Sequence, residues 1–144
     1  MNPLVINQGF LVVAMGELVL GATDLNDVSV RLFQNDIMPT PATALTDFTV
    51  ATYTGYAAQL ADPLGFPYDD VQGNVLQEFT QVLFQPTGTA ISNVIYGWYA
   101  VGGAGTFSGV LLAAKRLDVP VTLASALDAL PVSIRIAYNQ PQGI

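Results

Sequence analysis

A chain of 144 residues is the size of one ordinary domain and can bury a full core without covalent staples. It contains no cysteine and no histidine, which excludes disulfides, thiolate metal sites and every Ser-His or Cys-His catalytic pair. Eleven acidic residues face one lysine and three arginines, and the net charge of −7 argues against nucleic-acid binding, which needs clustered cations.

Charged residues make up only 10% of the chain, against the ~25% usual in soluble domains, while apolar residues reach 51%. Two readings follow. The surface is a neutral polar one, or much of it lies in interfaces, whose cores are depleted of charge; the second is preferred. The first positive charge is Arg31, so the N-terminus lacks the basic region of a signal peptide. The apolar run Phe10 to Met15 is followed by Gly16 and Glu17, short of the ~20 residues that span a bilayer. No membrane association is expected.

Residues 4–22 admit two structures. Leu11, Met15, Leu18 and Ala22 recur at helical spacing with Gly21 as a C-cap, whereas the β-branched run FLVVAM suits a buried strand. The helix is preferred, and residues 1–22 are set apart as an N-terminal helical or docking segment before a β domain at 23–144. From Val28 the period changes to two. Val28, Val30 and Leu32 alternate with Ser29, Arg31 and Phe33, a half-buried strand. In the polar stretch that follows, Asn35-Asp36 can turn the chain, Pro39 and Pro41 stiffen it, and Thr43 to Phe48 can form one helical turn. Thr49 to Gln59 then resume as extended chain.

Residues 75–84, VLQEFTQVLF, read as a second strand without strict alternation. Residues 91–101, ISNVIYGWYAV, form the most hydrophobic strand and hold the single tryptophan, Trp98. Gly102 to Thr106 is a turn, and 109–116 return as its hairpin partner. Val119–Leu123 and Val132–Tyr138 complete the set, with SALDALP between them as a turn or brief helix ending before Pro131. Short strands at regular intervals, with no βαβ alternation, repeat or linker, predict a mainly β, single-domain antiparallel sandwich, jelly-roll-like, with an N-terminal helix.

Candidates for chemistry are few. Asp69-Asp70, with Asn74 and Glu78 downstream, is the densest acidic cluster, but it lacks the spacing of a calcium loop and reads as a solvated turn. Lys115-Arg116, the only adjacent basic pair, reads as a solvated strand end. GGAGT at 102–106 lacks the partners of a phosphate loop. Tyr96, Trp98 and Tyr99 span both faces of one strand, with Trp98 assigned to the core and an outward tyrosine available for contact. No catalytic, metal or cofactor-binding residue is expected, and no cofactor.

VRLFQNDIMPTPATALTDFTVATYTGYAAQ resembles a pattern in small structural proteins of tailed bacteriophages, in which an "LF-N-PTP" strand precedes "DFTEATFTGYA". IYGWYAVGGAGTFSGVLLAAKRL is similar to their "YGYYVTDAAGTLLWAERF" hairpin, and VTLASALDALPVSIRI to their last two strands. The likeness covers roughly residues 28–138 and departs at Val50, where an acid is usual, and at the Pro/Gly-rich 60–74. It implies a virion structural protein: first a head decoration (cement) protein contacting capsid or other virion proteins, as a homo-oligomer, trimer before dimer. A tail or fibre module binding a host surface ligand through 60–74 or 102–108 is the alternative, and a carbohydrate-active enzyme with two facing carboxylates is a third. In the first reading residues 35–59 are a stiff crossover that carries the chain between sheets and presents a preformed neutral surface, or else a simple sheet-to-sheet connection. Residues 1–22 dock on a partner or pack on their own domain.

Overall fold

The period-two pattern of Val28, Val30 and Leu32 folds as expected into a strand that buries all three side chains completely. The computed structural model describes residues 2–6, 28–62, 68–69, 74–103 and 108–139. In chain order its strands are β1 (Leu4–Ile6), β2 (Val28–Phe33), β3 (Gln59–Ala61), β4 (Tyr68–Asp69), β5 (Asn74–Glu78), β6 (Val82–Phe84), β7 (Asn93–Val101), β8 (Leu111–Leu123), β9 (Leu130–Val132) and β10 (Arg135–Asn139). One 3-10 turn, Leu45–Asp47, lies between β2 and β3. All the pairings are antiparallel, and the fold is mainly β.

A five-stranded sheet runs in the order β1-β8-β7-β2-β3. Facing it is a ribbon of β6 and β9, and a third sheet runs β10-β5-β4. The main core lies between the five-stranded sheet and the ribbon. Val30, Leu32, Ile95, Trp98 and Leu112 meet Val82, Phe84, Leu130 and Val132 there. Strict alternation builds the ribbon: Val82 and Phe84 point in while Gln81, Leu83 and Gln85 point out. At the corner, Thr80 N–H donates to the Asp62 carbonyl and Asp62 N–H to the Thr80 hydroxyl, linking the end of β3 to the start of β6.

A second cluster covers the opposite face of the same sheet. Phe33, Tyr99, Val101, Leu111 and Ala114 pack there with Phe48 of the β2–β3 connection. Burial on both faces explains why β7 is apolar without alternation. Two irregularities in the β7–β8 ladder set this up: Leu112 is an extra residue between the Val101–Leu111 and Ala100–Ala113 pairs, and β8 bulges between Arg116 and Val121.

Several expectations need correction. Leu4–Ile6 is not helical; it is the edge strand of the main sheet, paired with Ala113–Lys115. The rest of the expected N-terminal helix, residues 7–22, lies outside the described residues. The single strand expected over 75–84 is two strands in different sheets, broken where Phe79 N–H bonds the Ile134 carbonyl and Thr80 turns to Asp62. The strands expected at 109–116 and 119–123 are one, because Asp118 and Pro120 sit in a bulge rather than a turn. Of the turn or brief helix expected at SALDALP the structure has the turn, closed by the Asp128 carboxylate accepting the N–H groups of Ala124 and Ser125, and only its end differs, since Pro131 lies within β9. The hairpin turn after β7 is held by Gly102 N–H to Val110 O and Gly109 N–H to Gly102 O, with residues 104–107 outside the described set.

Candidate interaction surface

The polar stretch 34–56 is a strap over the second face of the main sheet. Its first hold is local. The Asn35 side-chain amide donates to the Asp47 carbonyl while its oxygen accepts from Thr49 N–H, both at 2.8 Å, so one side chain ties the two ends of the loop. The Asp47 carboxylate accepts Ala44 N–H and closes the 3-10 turn. Gln34 N–H to Thr49 O and Ala51 N–H to Leu32 O then lay the returning chain along β2, where Phe33 and Val50 form a bridge. Beyond it the Tyr56 hydroxyl accepts the Leu32 N–H. The edge of β2 that the three-residue β3 leaves uncovered is thus satisfied by other groups.

The second hold is aromatic. Phe48 lies flat on Tyr99, with ring centroids 4.4 Å apart and planes at 5°, and its ring is 5.0 Å from that of Phe33. Burying such a side chain contributes roughly 1.5–3 kcal/mol. The third hold is ionic. Arg116 of β8 pairs with Asp36, donates to the Ile37 carbonyl at 2.9 Å and lies 5.2 Å over the Tyr96 ring. Arg116 is therefore not part of a solvated strand end; its side chain is 19% exposed. A fourth tie is Asn93, the one buried polar side chain among the described residues, whose oxygen accepts Thr52 N–H at 2.6 Å.

What this scaffold leaves outside is mostly uncharged, with Asp36 and Asp47 as the exposed carboxylates of the strap. Met38, Val50, Ile91 and Val94 are exposed large apolar residues on or beside the strap, among exposed Thr40, Ala42, Thr46 and Thr52. On the other side of the molecule the ribbon shows Gln81, Leu83, Gln85, Pro131 and Ser133. Residues 79–114 carry no charged side chain at all. The described carboxylates are largely committed to the fold: Asp36 to Arg116, Asp47 and Asp128 to backbone N–H groups, Asp118 to Asn2 N–H, and Glu78 to Arg135 directly across the β5–β10 pair. Exposed Leu60, Val119 and Leu127 lie on β3, in the β8 bulge and in the β8–β9 turn.

Burial raises the pKa of three tyrosines. Burial pushes Tyr53 up to about 12, with neighbouring Tyr56 adding to the rise. Burial also raises Tyr56 against the opposing Leu32 N–H, and raises Tyr99 against Arg31. All three are held neutral, as hydrogen-bonding and packing groups rather than bases. Tyr99, on the strand face away from Trp98, packs under Phe48 and is not an outward contact.

Of the acidic cluster, Asp69 lies in β4 opposite Val75, Asn74 and Glu78 lie in β5, and Asp70 is outside the described residues. Among the described residues no group of three metal-type ligands forms. Sequence reasoning missed the Arg116 clamp and the second core, and it placed 35–59 between sheets, whereas the strands that stretch joins, β2 and β3, are neighbours in one sheet. The signals for the second core were Phe33, an apolar residue out of phase with Val28, Val30 and Leu32, and the apolar, non-alternating run of β7. No family model, curated protein or solved structure matches the chain.

Proposed function

We propose that this chain is a structural subunit of a tailed-bacteriophage virion, a head decoration protein that acts by contact area and not by bond chemistry. One observation carries the reading: a strap-bearing face and a ribbon face, on opposite sides of one sheet, expose mainly apolar and neutral polar groups, while Asp36, Asp47 and Asp128 are each tied to a local partner. Apolar centre and polar rim is the anatomy of a protein interface. The strap is fixed by its own hydrogen bonds and ring contacts, so little ordering entropy opposes docking. The likeness of residues 28–138 to small phage structural proteins supplies the virion context, a homo-oligomer with trimer before dimer, and capsid or other virion proteins as partners.

The test is addition of purified chain to particles of the encoding phage that lack it, followed by co-sedimentation and heating. Saturable binding and a higher rupture temperature are expected. Failure to bind, with the chain also missing from purified wild-type particles, would overturn the reading.

A further inference from the structure

We infer that β1 is an exchanged strand: in the assembled protein, Asn2–Ile6 of one copy occupy the β8 edge of a second copy. This deepens the reading of the chain as a multi-copy virion subunit and rests on it. Four features lead there.

β1 is a three-residue edge strand on a thirteen-residue partner, held by the pairs Leu4–Lys115, Val5–Ala114 and Ile6–Ala113. Asn2 extends this attachment through its N–H to Asp118 and its side-chain amide to the Leu117 carbonyl. Leu4 is packed against the main core, but only partly.

Ile6 and Val28 lie at the same end of the main sheet, since Ile6 is level with Ala113 and Ala100, and Ser29 with Val101. Three strand spacings, roughly 14 Å, separate β1 from β2. The intervening residues 7–27 can extend to roughly 70 Å. A copy packed against this one would lie within that reach, and an exchanged strand keeps every ladder pair that it makes at home.

The edge admits no other strand as easily. Beyond Leu117 it carries Asp118, the exposed Pro120 and a bulge, the devices that block strand addition. Charge agrees. A chain of net −7 repels its own copy in general, but residues 2–6 are uncharged and add nothing to that repulsion where they dock.

The natural absence of cysteine makes the test unambiguous. Val5→Cys with Ala114→Cys places two thiols on directly paired residues; Leu4→Cys with Lys115→Cys is a second pair in case the buried Ala114 does not accept sulfur. Each is oxidised in the assembled state and run on a non-reducing denaturing gel. Exchange predicts covalent dimers or larger closed species in the double variants. It also predicts a mixed-size crosslink when a tagged Val5→Cys chain is co-assembled with an untagged Ala114→Cys chain. Intrachain disulfide alone in a protein that still binds particles would overturn exchange while leaving the decoration reading in place. Intrachain disulfide in a monomer that does not bind would contradict both. Absence of any disulfide from both pairs in folded protein would also overturn exchange, because β1 would then not lie on β8.

Discussion

At Gly97 the ring of Phe33 from β2 and the carbonyl of Lys115 from β8 occupy the space that a β-carbon would need. One of these neighbours is backbone, so the site cannot relax by a rotamer change alone. Gly97→Ala is expected to cost roughly 1–3 kcal/mol or more, read as a lower urea midpoint at unchanged slope. Arg116 makes a different case. It holds the strap by an ion pair, a carbonyl bond and a ring contact, whereas Asp36 contributes only the ion pair and its side chain is 68% exposed. Asp36→Asn should therefore cost below about 1 kcal/mol. Arg116→Leu should cost roughly 1–3, because it also orphans the Ile37 carbonyl. Equal losses would show that the ion pair alone matters. Tyr53 adds a pH dependence. Its folded pKa of about 12 exceeds the unfolded value of 10.0, so the native state keeps a proton that the unfolded chain releases. The associated stability is present below about pH 10 and lost as pH rises toward about 12. Melting temperatures across that window should fall less steeply in Tyr53→Phe.

The strap is the element on which the architecture turns. Phe48 is its main anchor, so Phe48→Ala should destabilise by roughly 3–5 kcal/mol. Hydrogen exchange should quicken first at the Gln34 and Thr49 amides, ahead of those of β7; uniform quickening would mean that the strap and sheet open as one unit. Much of this element was legible in advance, since Asn35, Pro39, Pro41 and the turn near Leu45 are local signals that act over a few residues. Its role as a cover was not, because Arg116 and Tyr99 lie far along the chain from Asp36 and Phe48. β8 shows the same limit. Asp118 and Pro120 ordinarily end a strand, and only the bulged ladder with β7 lets one strand carry both. Residues 75–84 did contain the relevant sign: Phe79 and Val82 both point inward three residues apart, which a single continuous strand does not do. At Leu4–Ile6 helical spacing further along the chain outweighed a short apolar run, and pairing with β8 decided for the strand.

At the scale of the molecule, scarce charge is organised and not merely low. The basic groups Arg116 and Arg135 are paired, and five described carboxylates hold backbone or cation partners, while the strap and the ribbon present threonine, glutamine and exposed aliphatic groups on opposite sides of the sheet. A charge placed on either face should therefore impair assembly without unfolding the chain. Leu83→Glu and Met38→Glu, both on exposed positions, are expected to shift stability by less than about 1 kcal/mol and to reduce particle binding by tenfold or more if those faces are buried in the assembly. The most direct measurement of the proposed role is a reconstruction of the phage particle proposed to carry this chain, at a resolution that traces it. The expected result is density for the chain on the head, with the strap or the ribbon covered by neighbouring subunits. A particle without the chain, or one in which the strap and the ribbon both look into solvent, would contradict the proposed role.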